Sequence, residues 1–197
     1  MSSILSSSNI CKEKGYPVEF MLYLMLLIIL DGAKSMYSGI LDLQKDKLKS
    51  PLNNLLNNET YNWRNLLYRV CGVFAKQCPT PEGKISALII DDTAKEKTGR
   101  KGENTSWFRD HCRNAYYMGF QVIMAVWSNG VTAIPVDFEL KIGKSRIKHA
   151  KKSHYHKGTH TEQRERMAKG KKTHIAIAFI KRTLQRKFRF RYLLWDS

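Results

Sequence analysis

Three aspartates follow short apolar runs, and their type and position could support metal chemistry. Asp91 and Asp92 follow residues 85–90, and Asp196 follows residues 190–195. Carboxylates brought together in a partly dry site repel one another unless they share a proton or hold a cation. Their hard oxygens suit Mg²⁺ or Mn²⁺, and a pair of such ions can activate water or a 3′ hydroxyl in phosphoryl transfer. The alternative is that Asp91 and Asp92 cap a turn and Asp196 merely ends a strand.

Lysine and arginine are concentrated after residue 92. Residues 1–92 hold ten Lys and Arg against nine Asp and Glu, whereas residues 93–197 hold 24 against eight. The net charge of +17 therefore resides almost entirely in the second half of the chain. A surface this basic predicts a polyanionic partner, and nucleic acid is the usual one.

Two groups of these bases are candidate contacts to DNA phosphates, each of which would steepen the salt dependence of binding. One group follows the first two aspartates, and the other lies in a basic, histidine-rich segment. The alternative is that both are solvated loops without a partner. The first group is Lys95, Lys97, Arg100 and Lys101, and the second is Lys141, Lys144, Arg146, Lys148, Lys151 and Lys152.

Histidines, cysteines and tryptophans give weaker signals. Four histidines alternate with lysines, so they fit a polycationic DNA-facing segment better than a zinc site. The four cysteines lack C-x-x-C spacing and indicate reduced thiols in a cytoplasmic protein. Trp127 could stack on bases, but a Trp in an apolar strand is more often part of the core. The four histidines are His149, His154, His156 and His160.

The longest apolar run, VEFMLYLMLLIIL, occupies residues 18–30. A helix needs about 20 apolar residues to cross a bilayer, and this run is shorter. It therefore predicts a buried helix, and no membrane association is expected.

The elements that must position the aspartates change type at residues 78–83. Before this break, residues 18–76 show helical spacing, which predicts a helical N-terminal region over residues 1–80. The Asn129-Gly130 pair is a strong hairpin signal. After the break we expect a strand at 85–90, hairpin strands at 119–127 and 131–140, a long helix at 161–187, and a buried strand at 190–195.

The order strand, hairpin, helix, strand predicts where the aspartates meet. A β-α-β connection makes the last strand parallel to an earlier one. If it lies beside the first strand, their carboxyl ends meet, and Asp91, Asp92 and Asp196 become neighbours. Active crevices of open α/β sheets lie at such ends.

Residues 85–197 resemble the catalytic core of DDE-type insertion-sequence transposases, which have an RNase H-like fold. The resemblance is carried by ALIIDDTAKEKTG, by the hairpin GFQVIMAVWSNGVTAIPVDFEL and by YLLWDS. The D-x-[ST] motif of the family selects Asp91 as the first catalytic aspartate, with Thr93 closing the motif and Asp92 as a second choice. The family's second aspartate ends the strand after the long helix and matches Asp196. Residues 1–80 are loosely similar to the helical N-terminal regions of such enzymes.

The resemblance implies a fold, an activity and partners. We expect an α/β protein with an incomplete RNase H-like mixed sheet at residues 81–197, preceded by the helical region. The implied activity is metal-dependent cleavage and joining of DNA strands at transposon ends, with Mg²⁺ or Mn²⁺ held by Asp91, Asp196 and Asp92. The implied partners are transposon-end and target DNA, and the full-length enzyme could form a homodimer.

One part of the family's pattern has no counterpart in the sequence. Such enzymes carry a third carboxylate, a Glu on a helix well downstream of the second aspartate. Glu162 and Glu165 precede the last predicted strand and do not fit it. We therefore expect a truncated transposase with little or no activity alone. The alternatives are a non-enzymatic DNA-binding remnant and a different RNase H-like nuclease.

Overall fold

The computed structural model describes residues 2–12, 14–33, 35–43, 46–97, 105–110, 113–143 and 155–195. The chain divides into two compact units, Met1–Leu66 and Leu67–Ser197. The described part of the first unit is helical, whereas that of the second contains a β-sheet.

The first unit consists of short helices around a shared apolar core. Met21, Leu24 and Ile28 recur at helical spacing along one face of the second helix and pack in a cluster with Ile40 and Leu52. Burial of this cluster holds together helices that are too short to be stable alone. The helices are α1 Ser2–Ser6, α2 Val18–Leu30, α3 Met36–Asp42, a 3₁₀ helix Asp46–Leu48, α4 Lys49–Leu56 and the first residues of α5 Trp63–Gln77.

Helix α2 matches the apolar run at residues 18–30, so the predicted helix is confirmed. The prediction that it is buried is wrong for one side, because Tyr23, Leu26 and Leu30 are exposed. A unit of a few short helices covers one face of α2 and leaves the other in solvent. No helix in the described part of the chain is long and apolar enough to cross a membrane.

The second unit is built on a mixed sheet of five strands in the described residues. Strand β3 pairs antiparallel with β1, β2 and β4, and β5 pairs parallel with β1. In the described part of the connection from β4 to β5, the chain forms two helices. The strands are β1 Ala87–Glu96, β2 Ser106–Asp110, β3 Ala115–Ser128, β4 Ala133–Lys141 and β5 Tyr192–Trp195, and the helices are α6 His160–Ala168 and α7 Lys172–Gln185. This α/β architecture is consistent with the predicted RNase H-like fold.

One face of the sheet carries the core of the second unit. Ile175 and Phe179 of α7 and Tyr68 of α5 pack in one cluster with Leu88 and Ile90 of β1. We call this side of the sheet the covered face and the other side the open face. Side chains alternate between the two faces along a strand. The residues of β3 that pair with Leu88 and Ile90, and the partners of those residues in β4, therefore also lie on the covered face.

A β-bulge in β4 shapes the covered face. Ala125 of β3 pairs with Asp137, and the next residue, Val126, pairs with Pro135, so Val136 has no partner of its own. The bulge places both Val136 and Asp137 in the buried interior.

The predicted hairpin between β3 and β4 is confirmed. Asn129 organises the turn, because its side-chain oxygen accepts hydrogen bonds from the backbone N–H groups of Val131 and Thr132. Gly130 has φ of 85°, which glycine adopts without steric cost.

The predicted long helix over residues 161–187 is wrong in one respect, because it is divided into α6 and α7. Gly170 lies at the break, and its N–H donates to the carbonyl of Met167. The carbonyl of Ala168 accepts from the N–H of Ile142 instead of continuing the helix. A contact with the residue that follows β4 therefore accompanies the end of α6.

The strand predictions need two further corrections. Residues 106–110 form β2, a strand that the sequence analysis did not predict, because β3 is long enough to offer them partners. The final strand forms beside β1, but the prediction that it is buried is wrong. Its four residues are all exposed, and among the described residues β5 contributes nothing to the core.

Candidate active site

The candidate site lies where the pairing between β1 and β5 ends. The two strands pair in parallel from Ala87 with Tyr192 to Ile90 with Trp195, as predicted from the β-α-β order. Strand β1 then continues to Glu96 along β3. The prediction that β1 stops before its aspartates is therefore wrong, because the fourteen residues of β3 support a longer strand.

Asp91 lies in β1 immediately after the last described β1–β5 pair. It is exposed and alternates with the buried Leu88 and Ile90, so it belongs to the open face. Its carboxylate accepts a hydrogen bond of 2.7 Å from the backbone N–H of Asp92. No described residue forms an ion pair with it.

Asp92 lies on the covered face and has two side-chain partners. Its Oδ2 accepts a 3.1 Å hydrogen bond from Nε2 of Gln121 in β3. The same oxygen forms an ion pair with Nζ of Lys172, at the start of α7. The charge of Asp92 is thus already compensated within the fold.

The two adjacent aspartates therefore suit different tasks. A carboxylate that is hydrogen-bonded and paired with an ammonium group is less available to a metal ion than one facing solvent. The geometry favours Asp91 over Asp92 as a metal ligand. Sequence reasoning missed Lys172 and Gln121, because their contacts with Asp92 depend on the strand register and on where α7 begins.

Asp196, the third predicted ligand, lies outside the described residues. It follows Trp195 in the sequence, just as Asp91 follows Ile90, and Ile90 pairs with Trp195.

The predicted DNA-contacting bases are only partly within the described residues. Lys95 is exposed on β1, on the same face as Asp91, and Lys97 is exposed just after the strand. Lys141 is half-buried, and its Nζ donates to the carbonyls of Ile142 and Ala168 at 2.8 and 3.2 Å. The others, Arg100, Lys101, Lys144, Arg146, Lys148, Lys151 and Lys152, lie outside the described residues.

The histidine segment is also incompletely described. His149 and His154 lie outside the described residues, whereas His156 is exposed before α6 and His160 begins that helix. Among the described residues, no group of three or more His, Cys, Asp and Glu side chains could hold a metal ion. Trp127 is buried, and its Nε1–H donates to the carbonyl of Arg189 at 2.9 Å, so it belongs to the core.

Two buried acids of β4 were not anticipated from the sequence. Asp137 is 1% exposed, and its Oδ2 lies 2.7 Å from Nη2 of Arg182 in α7. Glu139 is 2% exposed and lies 3.7 Å from Nε of Arg164 in α6. Together with the Asp92–Lys172 pair, they place acids on the covered face and bases on the helices above it. The sequence feature that could have revealed these two acids is the alternation of acidic and apolar residues in VDFEL.

Tyr68 of α5 extends the Asp137 pair into a buried network. Its hydroxyl donates to Oδ2 of Asp137 at 2.9 Å and lies 3.2 Å from the hydroxyl of Thr183. Burial, followed by the negative charge of Asp137, raises the pKa of Tyr68 well above its usual value. This network fixes α5 and α7 against β4.

Comparison with known families agrees with the resemblance seen in the sequence. A family model described as DDE superfamily endonuclease matches residues 17–197. The match includes the sheet and the candidate aspartates, and it extends into the helical region, where the sequence resemblance was loose. The search of curated proteins and the search of solved structures gave no match.

Proposed function

Since the chain belongs to the DDE superfamily endonuclease family, we propose that it acts on DNA as a divalent-metal-dependent nuclease of the transposase type. The observation that carries this proposal is the parallel register of β1 and β5. Ile90 pairs with Trp195, and the next residue of each strand is an aspartate. The proposed reaction is cleavage of DNA at transposon ends and joining of the freed 3′ hydroxyl to a target.

In this proposal Asp91 and Asp196 hold the metal ion. The donor chemistry at Asp91 fits, because its carboxylate is exposed and no described base neutralises it. Mg²⁺ and Mn²⁺ prefer such oxygen ligands. A divalent ion bound there would activate the attacking oxygen and stabilise the leaving oxygen in phosphoryl transfer.

The other residues near Asp91 would position the site and the DNA. Asp92 would act through its contacts with Lys172 and Gln121, which join β1 to α7 and β3 and thereby fix the backbone that carries Asp91. Lys95 lies four residues along the same face of β1, roughly 13 Å away at the usual rise of a strand. It would bind a phosphate that flanks the reacting one.

The metal-binding part of the proposal can be tested without measuring catalysis. Mn²⁺ binding to the whole chain would be followed by electron paramagnetic resonance for the wild type, Asp91→Asn and Asp92→Asn. We expect Asp91→Asn to weaken Mn²⁺ binding at least tenfold and Asp92→Asn to change it much less. Equal binding by the wild type and Asp91→Asn would overturn the assignment of Asp91.

Catalysis requires a separate measurement. Nicking of supercoiled plasmid DNA would be assayed with Mg²⁺ or Mn²⁺, using Asp91→Asn as the negative control. Metal-dependent nicking that is lost in Asp91→Asn would support the proposed reaction and overturn the expectation, drawn from the sequence, of little or no activity from this chain alone. Salt-dependent DNA binding without Mn²⁺ binding or nicking would instead support a non-enzymatic DNA-binding protein.

A further inference from the structure

The segment between α7 and β5 carries a cluster of bases that the sequence analysis did not single out. Residues 186–191 read RKFRFR, and we call them the α7–β5 connector. All four of its basic side chains are exposed, and none forms an ion pair with a described residue. They are Arg186, Lys187, Arg189 and Arg191.

The backbone of the connector is fixed by the core. Phe188 is buried and meets the rings of Tyr68 and Trp127 edge to face, with centroids 6.1 Å apart in each pair. The carbonyl of Arg189 accepts from the Trp127 indole, and the N–H of Arg191 donates to the carbonyl of Ser86 at 2.9 Å. The bases are therefore displayed on a backbone that needs no further ordering when a ligand binds, which favours affinity.

Lys187 occupies a backbone conformation that favours glycine. Its φ is 63°, in the left-handed region, where α7 ends. The N–H of Phe188 donates to the carbonyl of Thr183 and that of Lys187 to the carbonyl of Leu184, which is the hydrogen-bond pattern of a Schellman cap. The other described non-glycine residues with positive φ are asparagines, Asn9 and Asn114, which tolerate it better. A lysine held there against its backbone preference suggests a use for its side chain.

We propose that the α7–β5 connector is a second DNA-contact surface that binds backbone phosphates of a duplex. The inference rests on the proposed function, which supplies DNA as the polyanion. Arginine and lysine without acidic partners are the usual ligands of phosphate oxygens, and arginine can bind two oxygens at once. No acidic residue occurs between Lys181 and Trp195, so nothing in this stretch of sequence competes for the bases.

The position of the connector separates it from the candidate active site. It precedes Tyr192, which pairs with Ala87, whereas Asp91 follows the pair of Ile90 with Trp195. The two ends of β5 are roughly 10 Å apart at the usual rise per residue. That distance corresponds to about three nucleotides along one DNA strand. The connector would thus bind DNA that flanks the cleaved bond.

The test compares two charge-matched variants of the full chain. The connector variant changes Arg186, Lys187, Arg189 and Arg191 to Gln. The control variant changes four exposed lysines outside the proposed surfaces to Gln, namely Lys12, Lys14, Lys76 and Lys84. Binding of a fluorescent 30-base-pair duplex would be measured by anisotropy at several salt concentrations, without divalent metal.

We expect the connector variant to bind more weakly and with a shallower salt dependence. Each lost phosphate contact lowers the slope of log affinity against log salt by about 0.9, so up to about 3.6 for four contacts. The control should keep nearly the wild-type slope. If the wild type binds DNA and the two variants have the same slope, this inference is overturned but the proposed function is not. A wild-type chain that binds no DNA at low salt would overturn the proposed function as well.

The variant Lys187→Gly tests whether weaker DNA binding comes from the loss of a phosphate contact or from the loss of folding. Glycine relieves the left-handed conformation, so we expect the melting temperature to rise while DNA affinity falls. A variant that is more stable and binds DNA as tightly as the wild type would remove Lys187 from the proposed surface. Binding to anionic lipid vesicles that depends on the connector, with DNA binding unchanged, would overturn DNA as its partner.

Discussion

Asp137 shows how strongly a single buried charge depends on its partner. It is 1% exposed and is paired with Arg182, whose side chain is 22% exposed. Removing one member of a buried ion pair leaves the other charged and desolvated, which costs more than the pair contributes to stability.

We therefore expect Arg182→Met to lower the free energy of unfolding by about 3–5 kcal/mol. Lys181→Met is the matched control, because Lys181 is the neighbouring base on α7 and is exposed. Urea denaturation of both variants gives the comparison. If the two variants are equally stable, the Asp137–Arg182 pair is not an important part of the fold.

The hydroxyl of Tyr68 gives a prediction about alkaline pH. Its pKa is raised in the folded state by burial and by Asp137, so the unfolded chain loses the proton first, near pH 10. Stability from this group is complete below pH 10 and falls as pH rises towards the folded pKa, by about 1.4 kcal/mol per pH unit.

Tyr68→Phe removes this titration but keeps the ring. At neutral pH we expect the variant to be less stable by about 1–2 kcal/mol, because Asp137 loses a hydrogen bond. Between pH 10 and 11 the difference from the wild type should shrink. Denaturation curves at several pH values test this, and a difference that stays constant would contradict it.

At the scale of elements, two glycines lack a side chain for different reasons: one lies where strands pack closely, and the other lies in a helix with room for a side chain. Gly119 of β3 pairs with Glu96 of β1 and Ser106 of β2, and an added Cβ would overlap the carbonyl oxygen of Lys95. Gly72 lies inside α5, where an added Cβ would meet only the ring of Phe188, at 4.0 Å.

We expect Gly119→Ala to destabilise the protein by about 1–3 kcal/mol, because two strands approach closely at that residue. Gly72→Ala should stabilise it by up to about 1 kcal/mol through helix propensity. Thermal or urea unfolding of both variants would decide. The same sign for both changes would contradict a close approach of the strands at Gly119.

The sequence predicted elements wherever local signals were strong. Asn129-Gly130 specified the hairpin, and the order of elements specified the parallel pairing of β5 with β1. It did not predict β2, the break at Gly170 or the exposure of β5, because these depend on strand length and on tertiary contacts rather than on periodicity.

For the candidate site, the sequence identified Asp91 and Asp92 but could not assign their roles. Strand alternation and the start of α7 separate the two residues, and neither is encoded in a D-D-T motif. The role of Asp196 and the metal ion remain predictions. The connector was missed because its alternating bases read as part of a helix and a strand.

At the scale of the whole molecule, the net charge of +17 accompanies an exposed apolar edge strand. Among the described residues β5 pairs only with β1, and its side chains are 43–51% exposed. Edge strands of this kind can pair with other chains unless something keeps them apart. Repulsion between highly charged copies is one such barrier, and salt screens it.

This edge has a consequence for handling the protein in solution. Salt that is high enough to dissociate nucleic acid from a basic protein also screens the repulsion between its copies. Purification therefore requires high salt, whereas storage requires low salt. We expect light scattering to rise with NaCl concentration for the wild type and to rise less for Leu194→Lys, a change on the exposed strand. Scattering that is independent of salt in both proteins would show that charge repulsion does not protect β5.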